Sequence, residues 1–148
     1  MENEPIDLSW GSRALVITCV EYGTEPGMAT GDLRLSVSAT QDDFSGRYDQ
    51  VWISKQSWVD FMRGLRLLER ARSGKTTLEA ISPDEFQLTF EIVGHVGGRV
   101  VAYGYLARYH FGGVGPTTAS RVYYEVGVDP SMFRNIVEKF EEMGQPHE

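Results

Sequence analysis

A two-residue alternation of apolar and polar side chains governs most of this chain and yields to a helical period in only two places. Leu33, Leu35, Val37 and Ala39 alternate with Arg34, Ser36 and Ser38; Phe86, Leu88, Phe90 and Ile92 alternate with Gln87, Thr89 and Glu91; Val101, Tyr103, Tyr105, Ala107 and Tyr109 share one face of a third run. Successive side chains of a strand point to opposite sides, so these segments predict strands with one buried face. Ala14 to Val20 is a compact β-branched run that suits a buried strand, and Tyr48 to Ile53 returns after a turn over residues 41–46. Thr76 to Ile81 and Glu85 to Val93 predict a second hairpin, and Arg99 to Tyr109 is expected to pair with Ala119 to Val128. Residues 21–31 and 111–118, rich in glycine and proline, are expected as loops.

The helical period appears first after Ser54, where Trp58, Phe61, Met62, Leu65 and Leu68 form one apolar stripe over residues 55–71 with Arg63, Arg66 and Arg70 on the solvated side. It returns after Asp129 and Pro130, a helix-start pair, with Phe133, Ile136, Val137, Phe140 and Met143, ending near Gly144. The expected fold class is therefore α+β: a mainly antiparallel β-sheet of about six or seven strands packed with two amphipathic α-helices. The 148 residues, 41% of them hydrophobic, suit one core. Residues 1–13 are expected as an N-terminal tail or leading strand, 14–144 as a single domain and 145–148 as a C-terminal tail. No internal sequence repeat is evident.

Charge narrows the partners. Fourteen Lys and Arg against 21 Asp and Glu leave −7, which repels phosphate backbones and favours encounter with a basic protein. Cys19 is the single cysteine, so neither an intramolecular disulfide nor a cysteine-based zinc site is expected, as in a reducing compartment. The first residues carry no basic cluster or long apolar run, so the expectation is a cytoplasmic protein with no signal peptide and no membrane anchor.

Catalytic signatures are weak. Ser73-Gly74-Lys75-Thr76-Thr77 imitates the end of a phosphate-binding loop, but Glu69 stands where that loop needs glycine, and the segment leads from helix to strand. Gly112, Gly113 and Gly115 precede no helix that could present amides to an anion. His95, His110 and His147 do not fall at the spacing of paired metal ligands, and no serine sits in a nucleophile elbow. Adjacent carboxylates at Asp42-Asp43, Asp84-Glu85 and Glu141-Glu142 lie in predicted turns or on a polar helix face, where solvation rather than catalysis is expected. No catalytic residue, metal or cofactor is expected. Tyr103, Tyr105, Tyr109, Tyr123 and Tyr124 are expected mostly to fill the layer between sheet and helices; an exposed subset would mark a protein interface.

Several short strings carry a family resemblance. Gly31-Asp32-Leu33 opens an alternating strand, Phe44 through Trp52 leads into the Phe61-to-Leu68 helix, and Gly74 and Leu78 follow. Ser82-Pro83-Asp84-Glu85-Phe86, Gly94-His95-Val96, and Val128-Asp129-Pro130 before Phe133 complete the set. Over residues 14–143 the chain resembles the WapI-like immunity proteins, which neutralise toxic domains of bacterial polymorphic and contact-dependent toxins. The resemblance implies a non-catalytic protein that binds a cognate toxin domain directly; the net charge of −7 adds a basic nuclease as a candidate for that partner. Charge and exposure then suggest Asp42, Asp43, Asp84, Glu85, Glu138, Glu141 and Glu142 as partner-binding residues. Alternatives are a small-ligand module on the aromatic sheet face, which predicts a closed apolar pocket, and a small enzyme with His95 or His110 beside Asp129 or another carboxylate. Open sheet edges also allow a homodimer.

Overall fold

The computed structural model describes residues 4–23, 31–94, 98–110 and 118–145. Its strands are β1 (Ile6–Trp10), β2 (Arg13–Tyr22), β3 (Leu33–Gln41), β4 (Phe44–Ile53), β5 (Lys75–Glu79), β6 (Phe86–Val93), β7 (Arg99–His110) and β8 (Thr118–Val128). Helix α1 (Lys55–Ala71) follows β4, and helix α2 (Phe133–Met143) follows β8 after a 3-10 turn, Pro130–Met132. The predicted strands and both helices are present, and β1 lies in the segment expected as a tail or leading strand. With only Ile6 and Leu8 buried, β1 is too short to show a periodic pattern, yet it pairs antiparallel with β2 from Ile6↔Ile17 to Trp10↔Arg13.

The sheet is not single. The strands form two four-stranded antiparallel meanders, β1-β2-β3-β4 and β5-β6-β7-β8, each followed by one helix. The order of elements thus repeats although no sequence repeat is visible, because strand and helix periods constrain where side chains point and not which apolar side chain is used.

Helix α1 begins where the sequence indicates. Ser54 Oγ accepts the Ser57 N–H at 3.1 Å, and buried Asp32, at the start of β3, accepts the Lys55 N–H at 2.9 Å. Two of the amides left unpaired at a helix start are so satisfied, one of them by the Gly31-Asp32-Leu33 string. The helix ends at Arg72 in the left-handed conformation (φ 55°), its N–H donating to the Leu68 carbonyl. Asp129 caps only the 3-10 turn, through the Ser131 N–H at 3.0 Å, so the second helix starts later than the Asp-Pro pair suggests. The Arg face of α1 is less free than expected: Arg66 reaches Glu141 of α2 at 2.6 Å, and Arg63 lies 3.5 Å from Asp60.

One connected core holds both sheets and both helices. Helix α1 lies against β5 and β6, sheet β1–β4 lies against β8, and α1 packs on α2. Phe140 of α2 is the hub: its ring lies 5.6 Å from Phe61, 6.0 Å from Trp58 and 5.8 Å from Phe90, tying both helices to the inner face of β6. A glycine admits the close approach of α1 to β5, since a Cβ at Gly64 would stand 2.2 Å from Thr76 Oγ1. No helix among the described residues is long and apolar enough to cross a membrane.

Candidate partner-binding face

The register of β5–β8 assigns every side chain of this sheet to one of two faces. Phe86, Leu88, Phe90 and Ile92 of β6, Val100, Ala102 and Leu106 of β7, and Tyr124, Val126 and Val128 of β8 point into the core. The opposite face therefore carries Tyr103, Tyr105 and Tyr109 of β7 and Arg121, Tyr123 and Glu125 of β8. This corrects the expectation that most of these rings fill the layer between sheet and helices: only Tyr124 does so, and Tyr123 is 64% exposed. Tyrosine is as acceptable inside a sheet as on it, so alternation groups the rings but cannot say which group meets the helices.

Cross-strand pairing arranges the outer face in rows. Tyr105 stands opposite Tyr123, Tyr103 opposite Glu125, and Ala107 opposite Arg121. The Tyr105 and Tyr123 rings meet edge-on at 6.1 Å. The Arg121 guanidinium lies 5.1 Å from the centre of the Tyr105 ring and 5.8 Å from that of Tyr123, and donates to the hydroxyls of Tyr123 and Tyr109, each at 3.1 Å. One cation thus clamps three rings, through stacking and hydrogen bonds together. Tyr103 leans the other way, its hydroxyl donating to Glu91 at 2.6 Å, and that bond, with lesser contributions from burial and the carboxylate charge, raises its pKa. Tyr105 is raised mainly by burial and then by the charges of Asp84 and Glu79.

Between the Tyr105–Tyr123 row and the Tyr103–Glu125 row runs an open groove of about 520 Å³, floored by Gly104 and flanked by Gln41 and Gln87. Its floor is locked from below. Tyr124, the cross-strand partner of Gly104, spans β7 and donates its hydroxyl to the Gln87 carbonyl of β6. A Cβ at Gly104 would lie 1.9 Å from that carbonyl oxygen, so only glycine fits. Gln41 closes the side of the groove, its Oε1 accepting the Glu125 N–H at 3.1 Å across the edge of β8. Phe44, the cross-strand partner of Gln41, is 74% exposed, and Trp10, stacked on the backbone of Gly127, is 58% exposed. Exposed aromatic side chains therefore gather around β8.

The acidic candidates divide between two sides of the molecule. Asp84 and Glu85 lie in the β5–β6 turn beside this face: the Asp84 carbonyl accepts from the Tyr109 hydroxyl at 3.3 Å, and Glu85 accepts from Tyr48 at 3.5 Å. Asp42 and Asp43 form the β3–β4 turn next to Gln41 and are exposed. Asp42 accepts from Ser12 Oγ at 2.7 Å, which, with Arg13 3.6 Å away, holds its pKa below the ordinary value. Glu138, Glu141 and Glu142 belong to α2, which packs on the inner side of β6, so they cannot share a contact surface with the tyrosines. Glu141 is tied to Arg66, and Glu138 lies 3.6 Å from Arg134.

Of the histidine–carboxylate pairs in the enzymatic alternative, His110 with Asp129 is not formed. His110 pairs with Thr118 at one end of β7–β8, whereas Asp129 follows Val128, which pairs with Val100 at the other end. Ten residues of strand rise separate them, about 30 Å. His95, His147 and the glycines at 112, 113 and 115 lie outside the described residues. Gly74, with φ 94°, links α1 to β5, the helix-to-strand order that a phosphate-binding loop does not have. Arg121 and Glu125 escape the sequence reading as site residues, whereas Tyr123 belongs to the tyrosine set whose exposed members were expected to mark an interface; the alternation of β8 contains the signal for all three once its buried face is known.

No protein-family model, curated protein or solved structure matches this chain.

Proposed function

We propose that this protein acts by binding another protein, as an immunity protein that neutralises the toxic domain of a bacterial toxin by direct contact. The observation that carries the reading is the outer face of β7–β8, where Arg121 holds the half-buried Tyr105 and Tyr109 and the exposed Tyr123 in place. Tyrosine and arginine are the residues that dominate binding energy in protein interfaces, and rings already held in place lose little entropy when a partner arrives. The carboxylates of Glu79, Glu91 and Glu125 on the same face, with the overall charge of −7, suit a basic partner such as a nuclease domain. Inhibition by occlusion needs no catalytic group, only a contact of about 1,600 Å² in total. The family resemblance supports the same reading, and the open groove favours a protein over an enclosed small molecule.

The test is a pulldown from the lysate of the source cell, with this chain as bait at low and moderate salt. Recovery of the C-terminal part of a large secreted protein, weakened by salt and by Tyr123→Ala, is the expected result. Capture unaffected by Tyr123→Ala, Arg121→Ala and salt would remove the tyrosine face as the contact surface, and recovery of a second copy of the chain alone would replace the toxin with a homodimer.

A further inference from the structure

Granting that this face meets a protein partner, we infer that the groove between the Tyr105–Tyr123 row and the Tyr103–Glu125 row receives a single basic side chain, lysine or arginine, of that partner. The groove contains no cation of its own: its lining is tyrosine, glutamine, Gly104 and Glu125. Arg121 is one row away, on the far side of the Tyr105–Tyr123 pair. It holds those two rings from that side and leaves the sides that line the groove for another group. An aromatic face presents the negative part of its quadrupole, so a cation seated there is attracted by rings whose positions are already set.

Glu125 supplies the counter-charge. Its carboxylate is exposed, and among the described residues no hydrogen bond or ion pair engages it, in contrast to Glu91, which accepts from Tyr103, and Glu79, which accepts from Gln87 at 3.2 Å. An anionic group in the groove would meet Glu125 with no compensating charge, and an apolar one would desolvate its carboxylate without pairing it. A long side chain with an apolar stem and a cationic head satisfies both parts of the site: the stem lies against the rings, and the head reaches Glu125. The groove is open to solvent rather than enclosed, which lets such a side chain enter from a protein surface.

Blocked peptides test the site directly. The full chain is titrated with Ac-Gly-Lys-Gly-NH2, Ac-Gly-Arg-Gly-NH2 and, as an uncharged control, Ac-Gly-Met-Gly-NH2, following the tyrosine ring signals by NMR. Saturable shifts at Tyr103, Tyr105 and Tyr123 with the two basic peptides, weakened about threefold by Glu125→Gln and weakened by added salt, are expected. An equal response to the methionine peptide, or basic-peptide binding undiminished in Glu125→Gln, would overturn the inference. Glu125 is exposed, so its variant keeps the fold, and the same spectrum checks this. The two readings separate in the pulldown: a toxin lost from Tyr123→Ala bait but fully retained by Glu125→Gln bait, with no peptide shift, overturns the basic-side-chain site and leaves the partner-binding face standing.

Discussion

Gly104 and Tyr124 act as one unit. The tyrosine crosses β7 where the glycine has no side chain and bonds to the Gln87 carbonyl on β6, joining β6, β7 and β8 under the groove. In Gly104→Ala the new methyl would stand 1.9 Å from a backbone oxygen, which no rotamer change relieves. A loss of about 3 kcal/mol or more is expected in urea denaturation, and an unchanged midpoint would show that β6 gives way easily. Asp42 provides a second test, in pH. Its folded-state pKa is lowered, first by the Ser12 hydroxyl, so its contribution to stability is present above the unfolded-state value and is lost as the pH falls through the folded-state value. Asp42 sits at φ 57°, which asparagine also adopts, so Asp42→Asn removes the charge with little backbone cost. The variant should be less stable than the parent at neutral pH, with the gap closing in acid below the ordinary Asp range; urea midpoints across pH decide it. A gap that stays constant would assign the contribution to the hydroxyl bond rather than to the charge.

At the scale of elements, the helix signals were the most legible. The stripe from Trp58 to Leu68 and the cap at Ser54 define α1 because a helical period and a hydroxyl next to unpaired amides are local properties. Ser54→Ala should cost about 1 kcal/mol in chemical denaturation without altering the folded spectrum, since the Ser57 N–H loses its acceptor and the Ser57 hydroxyl loses a donor. A cost near zero would mean that the Asp32 bond to the Lys55 N–H is sufficient to start the helix. Asp129 misled as the cap of α2 for an equally local reason: the Asp-Pro pair opens a 3-10 turn first, and the α-helical bonding pattern begins only at Phe133. The division of strands into two sheets was invisible, because each hairpin signal is short-range while the break between β4 and β5 is made by the packing of α1.

For the whole molecule, both ββββα halves share one core, so they are expected to melt as one unit. Phe140 joins α2 to Trp58 and Phe61 of α1 and to Phe90 of β6. Phe140→Ala should therefore lower stability by about 3–5 kcal/mol while leaving a single transition. Tryptophan fluorescence and far-UV circular dichroism should give coincident melting curves, since Trp10 and Trp52 lie in the first sheet and Trp58 lies in α1. Two separated transitions would show that the halves are independent. The same architecture places the acidic face of α2 and the tyrosine face of β7–β8 on opposite sides, so one partner surface cannot use both.

The sequence by itself determined the α+β class, the boundaries of α1, the strand pairing of β7 with β8 and the grouping of Tyr103, Tyr105 and Tyr109 on one face, because each follows from side-chain period or from a turn a few residues long. Only the tertiary structure decided that this group faces outward, that Tyr123 and Glu125 join it, and that Arg121 clamps it. Period two states that a strand has two faces; which of them is buried depends on where the helices and the other sheet come to rest, and those contacts join residues far apart in the chain.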